Sequence, residues 1–182
     1  VAILSMGGVV VSRSLRVAGD EMDEDIVDYA RNKYNLLIGE RMAERVKITA
    51  GSAYPLDKEK RAEIRGRNLV SGLPESLELS SIELRDALSE TVAALVSVVK
   101  EAIDETPPEV IADLMETGIC LVGGGALLAN LAARMQDEIK LRCWLAEDPM
   151  TCVARGAGLV LEDLDALRTL LVGLERGSTR DS

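Results

Sequence analysis

The stretch from Gly118 to Leu128, which reads Gly-Ile-Cys-Leu-Val-Gly-Gly-Gly-Ala-Leu-Leu, constrains this chain more than any other. Ile119 to Val122 is a short apolar run of the kind buried on both faces of a sheet, and three consecutive glycines then replace side chains with bare backbone. Gly123, Gly124 and Gly125 admit positive φ and carry no Cβ. A flat ring or a phosphate could therefore approach the main chain at the start of a following helix. The same residues also suit a plain strand-to-helix turn with no ligand. The rest of the chain has to decide.

With 182 residues and 47% hydrophobic content, the chain can bury a sizeable core, as one large domain or two small lobes. The formal charge is −10, no basic cluster occurs and aromatic residues make up 2%, which argues against a nucleic-acid groove or a base-stacking platform. Cys120, Cys143 and Cys152 lack metal-type spacing, and the chain has no histidine. They read as reduced core thiols of a cytoplasmic protein, with no metal site. No apolar run is long enough to span a bilayer and no signal peptide opens the chain. It starts at Val1, without methionine and already in a strand-like run, as expected of a piece of a longer protein.

Val1 to Ser5 and Val9 to Ser14 flank Met6-Gly7-Gly8 and predict a hairpin. Asp20 is the expected N-cap of a helix running to about Lys33, with Glu21 and Asp23 in its first turn. A second helix should open after Gly39 and end before Gly51 and Pro55. On it Glu40, Glu44 and Lys47 share one face. That face can be a solvated row of ion pairs. Alternatively, a carboxylate can accept from both ribose hydroxyls, while a lysine stem walls a purine and its ammonium stays wet.

From Leu56 to Leu79 the pattern is strand-like, with turn residues at Gly66, Asn68, Gly72 and Pro74, which predicts a small hairpin-bearing lobe with solvated charges. Ser80-Ser81-Ile82-Glu83 reads as a capping box opening one long helix, with a core stripe of Leu84, Leu88, Val92, Leu95, Val99 and Ile103. Thr106-Pro107-Pro108 ends it and starts a short helix that stops at Gly118. After the glycines the expected order is a helix from Ala126 to about Glu138, a strand near Leu141 to Leu145, and a helix capped by Asp148 with Pro149 in its first turn. In that last helix Ala154, Gly156, Ala157 and Gly158 offer a small-residue face for close packing. A leucine-rich segment from Leu159 to Leu174 and a loose tail from Arg176 follow. The whole is an α/β arrangement.

Several of these segments together closely resemble the MreB family, the rod-shape-determining bacterial actins. They are Ser12 to Asp23, the Ile-Gly-Glu-Arg-Met-Ala-Glu-Arg-Val-Lys of Ile38 to Lys47, the Gly-Ser-Ala-Tyr-Pro of Gly51 to Pro55, Arg65 to Pro74, the Thr-Pro-Pro-Glu break and Val122 to Leu128. The resemblance implies the actin and heat-shock chaperone ATPase fold (ribonuclease H-like), in which two domains clasp ATP or ADP, with Mg2+ held mainly through the phosphates. It implies that this chain is the second domain alone, with residues 1–17 and 89–182 as its core and residues 18–88 as an inserted α+β subdomain.

Carried over by residue, the resemblance gives Glu44 and Lys47 to ribose and base, with Arg45 nearby, and an adenosine-contacting turn at Gly123, Gly124, Gly125 and Ala126. The phosphate loops and the catalytic residues that polarise the attacking water are expected before Val1, and no Walker or Rossmann glycine pattern replaces them here. The resemblance further implies head-to-tail self-assembly into filaments, ATP hydrolysis coupled to that assembly, and partners among cell-wall elongation and membrane proteins. It places the whole protein in the cytoplasm, on the inner face of the membrane, with membrane contact through the N-terminal half. The turns around Gly66 to Pro74 and the loops near Glu116 and Asp148 are the expected filament contacts. A non-polymerising ATP-dependent clamp of the chaperone or sugar-kinase type fits the fold and glycine motif equally well. The Gly-Ser-Ala-Tyr-Pro and Gly-Leu-Pro segments favour the filament former.

Overall fold

The computed structural model describes residues 1–163. The expected opening hairpin is present: β1 (Ala2–Ser5) and β2 (Gly8–Ser12) pair antiparallel, with a bulge between Ile3 and Leu4. Helix α1 (Gly19–Tyr34) follows, but its N-cap is Ala18, and Asp20 lies inside the first turn. No side chain caps this end, so the contribution of Asp20 and Glu21 is that of charges near the positive end of the helix dipole.

A two-residue strand, β3 (Leu36–Leu37), leads to α2 (Glu40–Ala50), whose Ala43, Val46 and Ala50 are buried as the spacing predicts. The hairpin of the next segment is formed by β4 (Arg61–Asn68) and β5 (Pro74–Ser80), and β3 joins it as an edge strand. Gly66 is required here. A Cβ at this position would press on the backbone carbonyl of Leu37, so a side chain would force the two strands apart.

The capping box is present in full. Ser80 Oγ accepts from the Glu83 N–H, and the Glu83 carboxylate accepts from the Ser80 N–H at 3.0 Å. The same carboxylate takes hydrogen bonds from Tyr34 and from Lys33, both at the end of α1. Partial burial pushes the Glu83 carboxyl upward, but the bonds from Tyr34, from Ser80 and from Lys33 prevail and bring it down to about 2. One residue thus caps a helix and fastens a second element to it.

Ser80 does not open one long helix. α3 (Ser81–Ala87) and α4 (Ser89–Asp104) are separate, joined at Leu88, whose ψ of 0° is the last-turn geometry of a helix end. Leu84, Leu88, Val92 and Val99 are buried as expected, with Leu95 and Ile103 half-buried against them. α5 (Pro108–Thr117) then ends at Gly118 as predicted. The opening hairpin lies against this part of the chain: Ile3 and Val11 pack on Ala102 and Val110, and Arg13 pairs with Glu105.

Strands β6 (Ile119–Leu121) and β7 (Cys143–Leu145) are parallel, with α6 (Leu131–Ile139) as the crossover between them. Only one face of this pair is covered among the described residues. Leu121 and Cys143 are buried, while Cys120, Val122 and Trp144 on the other face are exposed. The run is therefore not buried on both sides, and Cys120 is not a core thiol. Cys152 is half-buried, and only Cys143 is a core cysteine.

Helix α7 (Cys152–Glu162) begins later than the sequence predicts. Asp148 takes positive φ and Pro149 stays outside, with Thr151 as the N-cap. Pro149 is diverted because its carbonyl accepts the Gly123 N–H at 2.8 Å. Among the described residues nothing packs on the glycines of α7: a Cβ at Gly156 or Gly158 would have no atom within 4 Å there. Most of the leucine-rich segment and all of the tail lie outside the described residues. The main core is continuous from Met22 on α1 to Cys143 on β7, so it runs through the joint at Leu88.

Candidate functional site

The glycine stretch forms a tight turn rather than the start of the predicted helix. Gly123 sits at φ +86°, which favours glycine, and Gly124 to Leu127 make a single 3-10 turn closed by Ala126 N–H to Gly123 O at 3.2 Å. Leu128 is extended and Asn130 left-handed, and α6 opens only at Leu131. Among the described residues no atom lies within 4 Å of the Cβ positions of Gly123, Gly124 or Gly125. No described side chain packs on the backbone of this turn.

The local apolar period predicts helix from Ala126, but a distant strand-like contact overrides it. Ser52 and Ala129 form a parallel bridge, Ala53 N–H donates to Ala129 O at 2.8 Å, and Asn130 Nδ2 donates to Pro55 O at 2.7 Å. Leu128 has to leave the helical conformation, and Asn130 to turn left-handed, for this segment to make these bonds. This contact joins the end of α2 to the end of the glycine turn. It is the device that brings the two groups of sequence-predicted site residues onto one frame.

On α2 the three predicted residues differ in state. Glu44 is exposed, and no hydrogen bond or ion pair engages it among the described residues. Arg45 is exposed with Nη2 3.1 Å from Met42 Sδ. Lys47 departs from the expectation of a wet ammonium. Its Nζ donates to Asp23 Oδ2 at 2.9 Å and to the Gly19 carbonyl at 2.7 Å, and its side chain is 15% exposed. The long stem reaches back over the start of α1, where a buried acid and a backbone carbonyl need a cation.

Sequence reasoning missed Asp23 and the tie from Ser52 and Ala53 to Ala129. Asp23 read as an ordinary first-turn acid, although its place one residue after buried Met22 sets it at the rim of the core face. The Gly-Ser-Ala-Tyr-Pro segment was visible as a motif, but nothing local indicates its bond to Ala129. Among the described residues no group of acids and cysteines could hold a metal ion. No helix among the described residues is long and apolar enough to cross a membrane.

The α/β body, with its glycine turn joined through Ala129 and Ala53 to the end of α2, has the actin-like ATPase fold. Crystal structures of MreB5 from Spiroplasma citri, bound to ADP and to AMPPNP, match with a TM-score of 0.86 each, at 39% and 38% identity. They cover 90% and 97% of this chain and 50% and 51% of theirs. The double helical filament of MamK matches at TM-score 0.66 and 20% identity, over 82% of this chain and 46% of that one, and so shares the fold. The MreB/Mbl protein family profile matches residues 1–169, and the chain belongs to that family. The cell shape-determining protein MreB of Escherichia coli K12 is 48% identical over 165 residues, which is 91% of this chain and 48% of that protein. The chain thus spans about half the length of the relatives it matches.

Proposed function

We propose that this chain supplies one wall of an adenine-nucleotide site in a filament-forming protein that determines cell shape. The observation that carries this reading is the glycine turn at 123–125, bare of described neighbours at its Cβ positions, tied through Ala129 and Ala53 to the end of the helix that bears the unpaired carboxylate of Glu44. The named nucleotides in the MreB5 structures support it. Glu44 would accept from the ribose hydroxyls, the turn from Gly123 to Ala126 would lie against the base, and Lys47 would present its stem while its ammonium stays with Asp23. Arg45 flanks this face. Mg2+ would come with the phosphates of the nucleotide.

The residues expected to cradle those phosphates have no counterpart in the 182 residues, so nucleotide binding by this chain should be weak. In the whole protein, a second domain would close over the phosphates, and ATP hydrolysis would accompany head-to-tail assembly, an open-ended heterologous contact. The inserted subdomain of residues 18–88, with its exposed tip at Leu69, Val70 and Leu73, would take part at one end of that contact. Cell-wall elongation proteins, the inner membrane face and a cytoplasmic location complete the proposal. Membrane contact would fall to residues outside this chain.

The test is titration of adenosine and ADP into the isotope-labelled chain, read by NMR. Shifts should map to residues 123–126 and to α2, and Gly124→Val should abolish them while leaving the rest of the spectrum in place. Unchanged binding in that variant would reduce the glycine turn to a structural one.

A further inference from the structure

The segment between α2 and β4, residues 51–60, belongs to no helix and, apart from the single bridge at Ser52, pairs with no strand. Its first three residues, Gly51, Ser52 and Ala53, are nevertheless buried, and Ala53 carries the bond to Ala129 at the end of the glycine turn. A stretch without a hydrogen-bond ladder of its own takes its shape from groups that reach it from elsewhere.

A single side chain holds both ends of this segment. Arg85 on α3 donates from Nε to Ser52 Oγ at 3.3 Å, and from Nη2 to the two carboxylate oxygens of Glu59 at 2.8 and 2.9 Å. The far end has a second anchor, because Glu59 also accepts the Ser81 hydroxyl proton and Ser81 Oγ accepts the Lys60 N–H at 2.8 Å. At the near end, Arg85 is the side chain that bonds to Ser52 Oγ among the described residues. Ser52 is fully buried, and the Arg85 side chain is 20% exposed. A guanidinium suits this place because its planar fork serves two acceptors at a fixed separation, which the point charge of an ammonium does not.

We propose that Arg85 is a positioning residue for the glycine turn. By clamping Ser52 and Glu59 it fixes residues 51–60 in the shape that offers the Ala53 N–H to Ala129, and so sets the end of the turn from Gly123 to Ala126. Arg85 would touch no ligand itself and acts through Ser52, Ala53 and Ala129. Its bearing on nucleotide binding rests on the reading of that turn as one wall of the nucleotide site. The mechanical link from α3 to the turn does not.

NMR of the isotope-labelled chain tests this, first without ligand. In Arg85→Met and in Ser52→Ala, amide shifts should spread from Ala53 and Ala129 to residues 123–126, with the rest of the spectrum in place, and exchange at the Ala53 amide should quicken by roughly threefold or more. Glu83→Gln, which weakens the start of the same helix without touching residues 51–60, is the control for a merely loosened α3 and should leave residues 123–126 unmoved. Adenosine titration follows. Affinity should fall by roughly threefold or more in Arg85→Met and keep its parent value in Glu83→Gln. Ser52→Ala and Arg85→Lys each break only the Ser52 end, so their losses should match one another and fall short of that in Arg85→Met. Unshifted amides at 123–126 in both Arg85→Met and Ser52→Ala would overturn the proposal whatever adenosine does. Equal shifts there in Glu83→Gln, or parent-like adenosine affinity in Arg85→Met, would overturn it too. A parent chain that does not respond to adenosine would instead sink the nucleotide reading, and the ligand-free spectra would still decide for or against the clamp.

Discussion

Lys47 on α2 and Asp23 on α1 meet at 2.9 Å across a seam where their side chains are 15% and 11% exposed. The pair locks the helix expected to face a nucleotide against its neighbour. The second oxygen of Asp23 is buried without a partner, so the acid depends on Lys47. Replacing Lys47 with Met should leave a buried charge uncompensated and cost about 2–4 kcal/mol, more than an exposed pair would. Urea unfolding measures this, and Asp23→Asn combined with Lys47→Met should recover part of the loss. A cost below that of an exposed ion pair would show that water already solvates the seam.

Glu83 makes stability depend on pH in a definite direction. Its folded value of about 2 lies below the ordinary 4.5, so the contribution is fully present above about pH 4.5 and is lost as pH falls toward 2. Glu83→Gln should lower stability at neutral pH by roughly 1–2 kcal/mol through the weakened cap. It should also flatten the acid limb of the unfolding midpoint between pH 4.5 and 2 relative to the parent chain. Parallel limbs in the two proteins would assign the acid sensitivity to other carboxylates.

Gly66→Val tests the edge-strand contact. The added side chain would push Leu37 off β4, and a loss of about 2–4 kcal/mol is expected from the overlap and the broken ladder. Gly124→Val, with no described atom near its Cβ position, should change stability by less than about 1 kcal/mol. Thermal unfolding of the two variants side by side distinguishes a glycine needed for packing from one needed for access.

Anionic vesicles should not retain this chain. A net charge of −10 is repelled by an anionic surface, and the chain has no phenylalanine and one tryptophan to insert. Co-sedimentation at low salt is the measurement, and the chain is expected in the supernatant. Retention that vanishes when residues 159–182 are removed would assign membrane contact to the leucine-rich end.

Legibility followed the range of the interactions. The capping box at Ser80 and Glu83, the turn at Met6 and Gly7, and the stop at Gly118 are set by neighbours within a few residues, and all were readable. Leu88 misled because an unbroken apolar stripe runs through it, whereas the backbone relaxes there by one residue. The late start of α6 and the diversion of Pro149 arise from bonds to Ser52, Ala53 and Gly123, partners remote in sequence that no periodicity encodes. The same holds for the candidate site. Its residue types were visible, but the cation that turned away from it was claimed by Asp23, 24 positions earlier.

The bond from Ala53 N–H to Ala129 O joins two residues more than seventy positions apart. Any swing of the body formed by α1, α2 and the β4–β5 hairpin relative to α6 has to stretch or break it. Its deuterium uptake is therefore a gauge of that swing. A ligand bridging α2 and the glycine turn should slow exchange at Ala53 even though it never touches that residue.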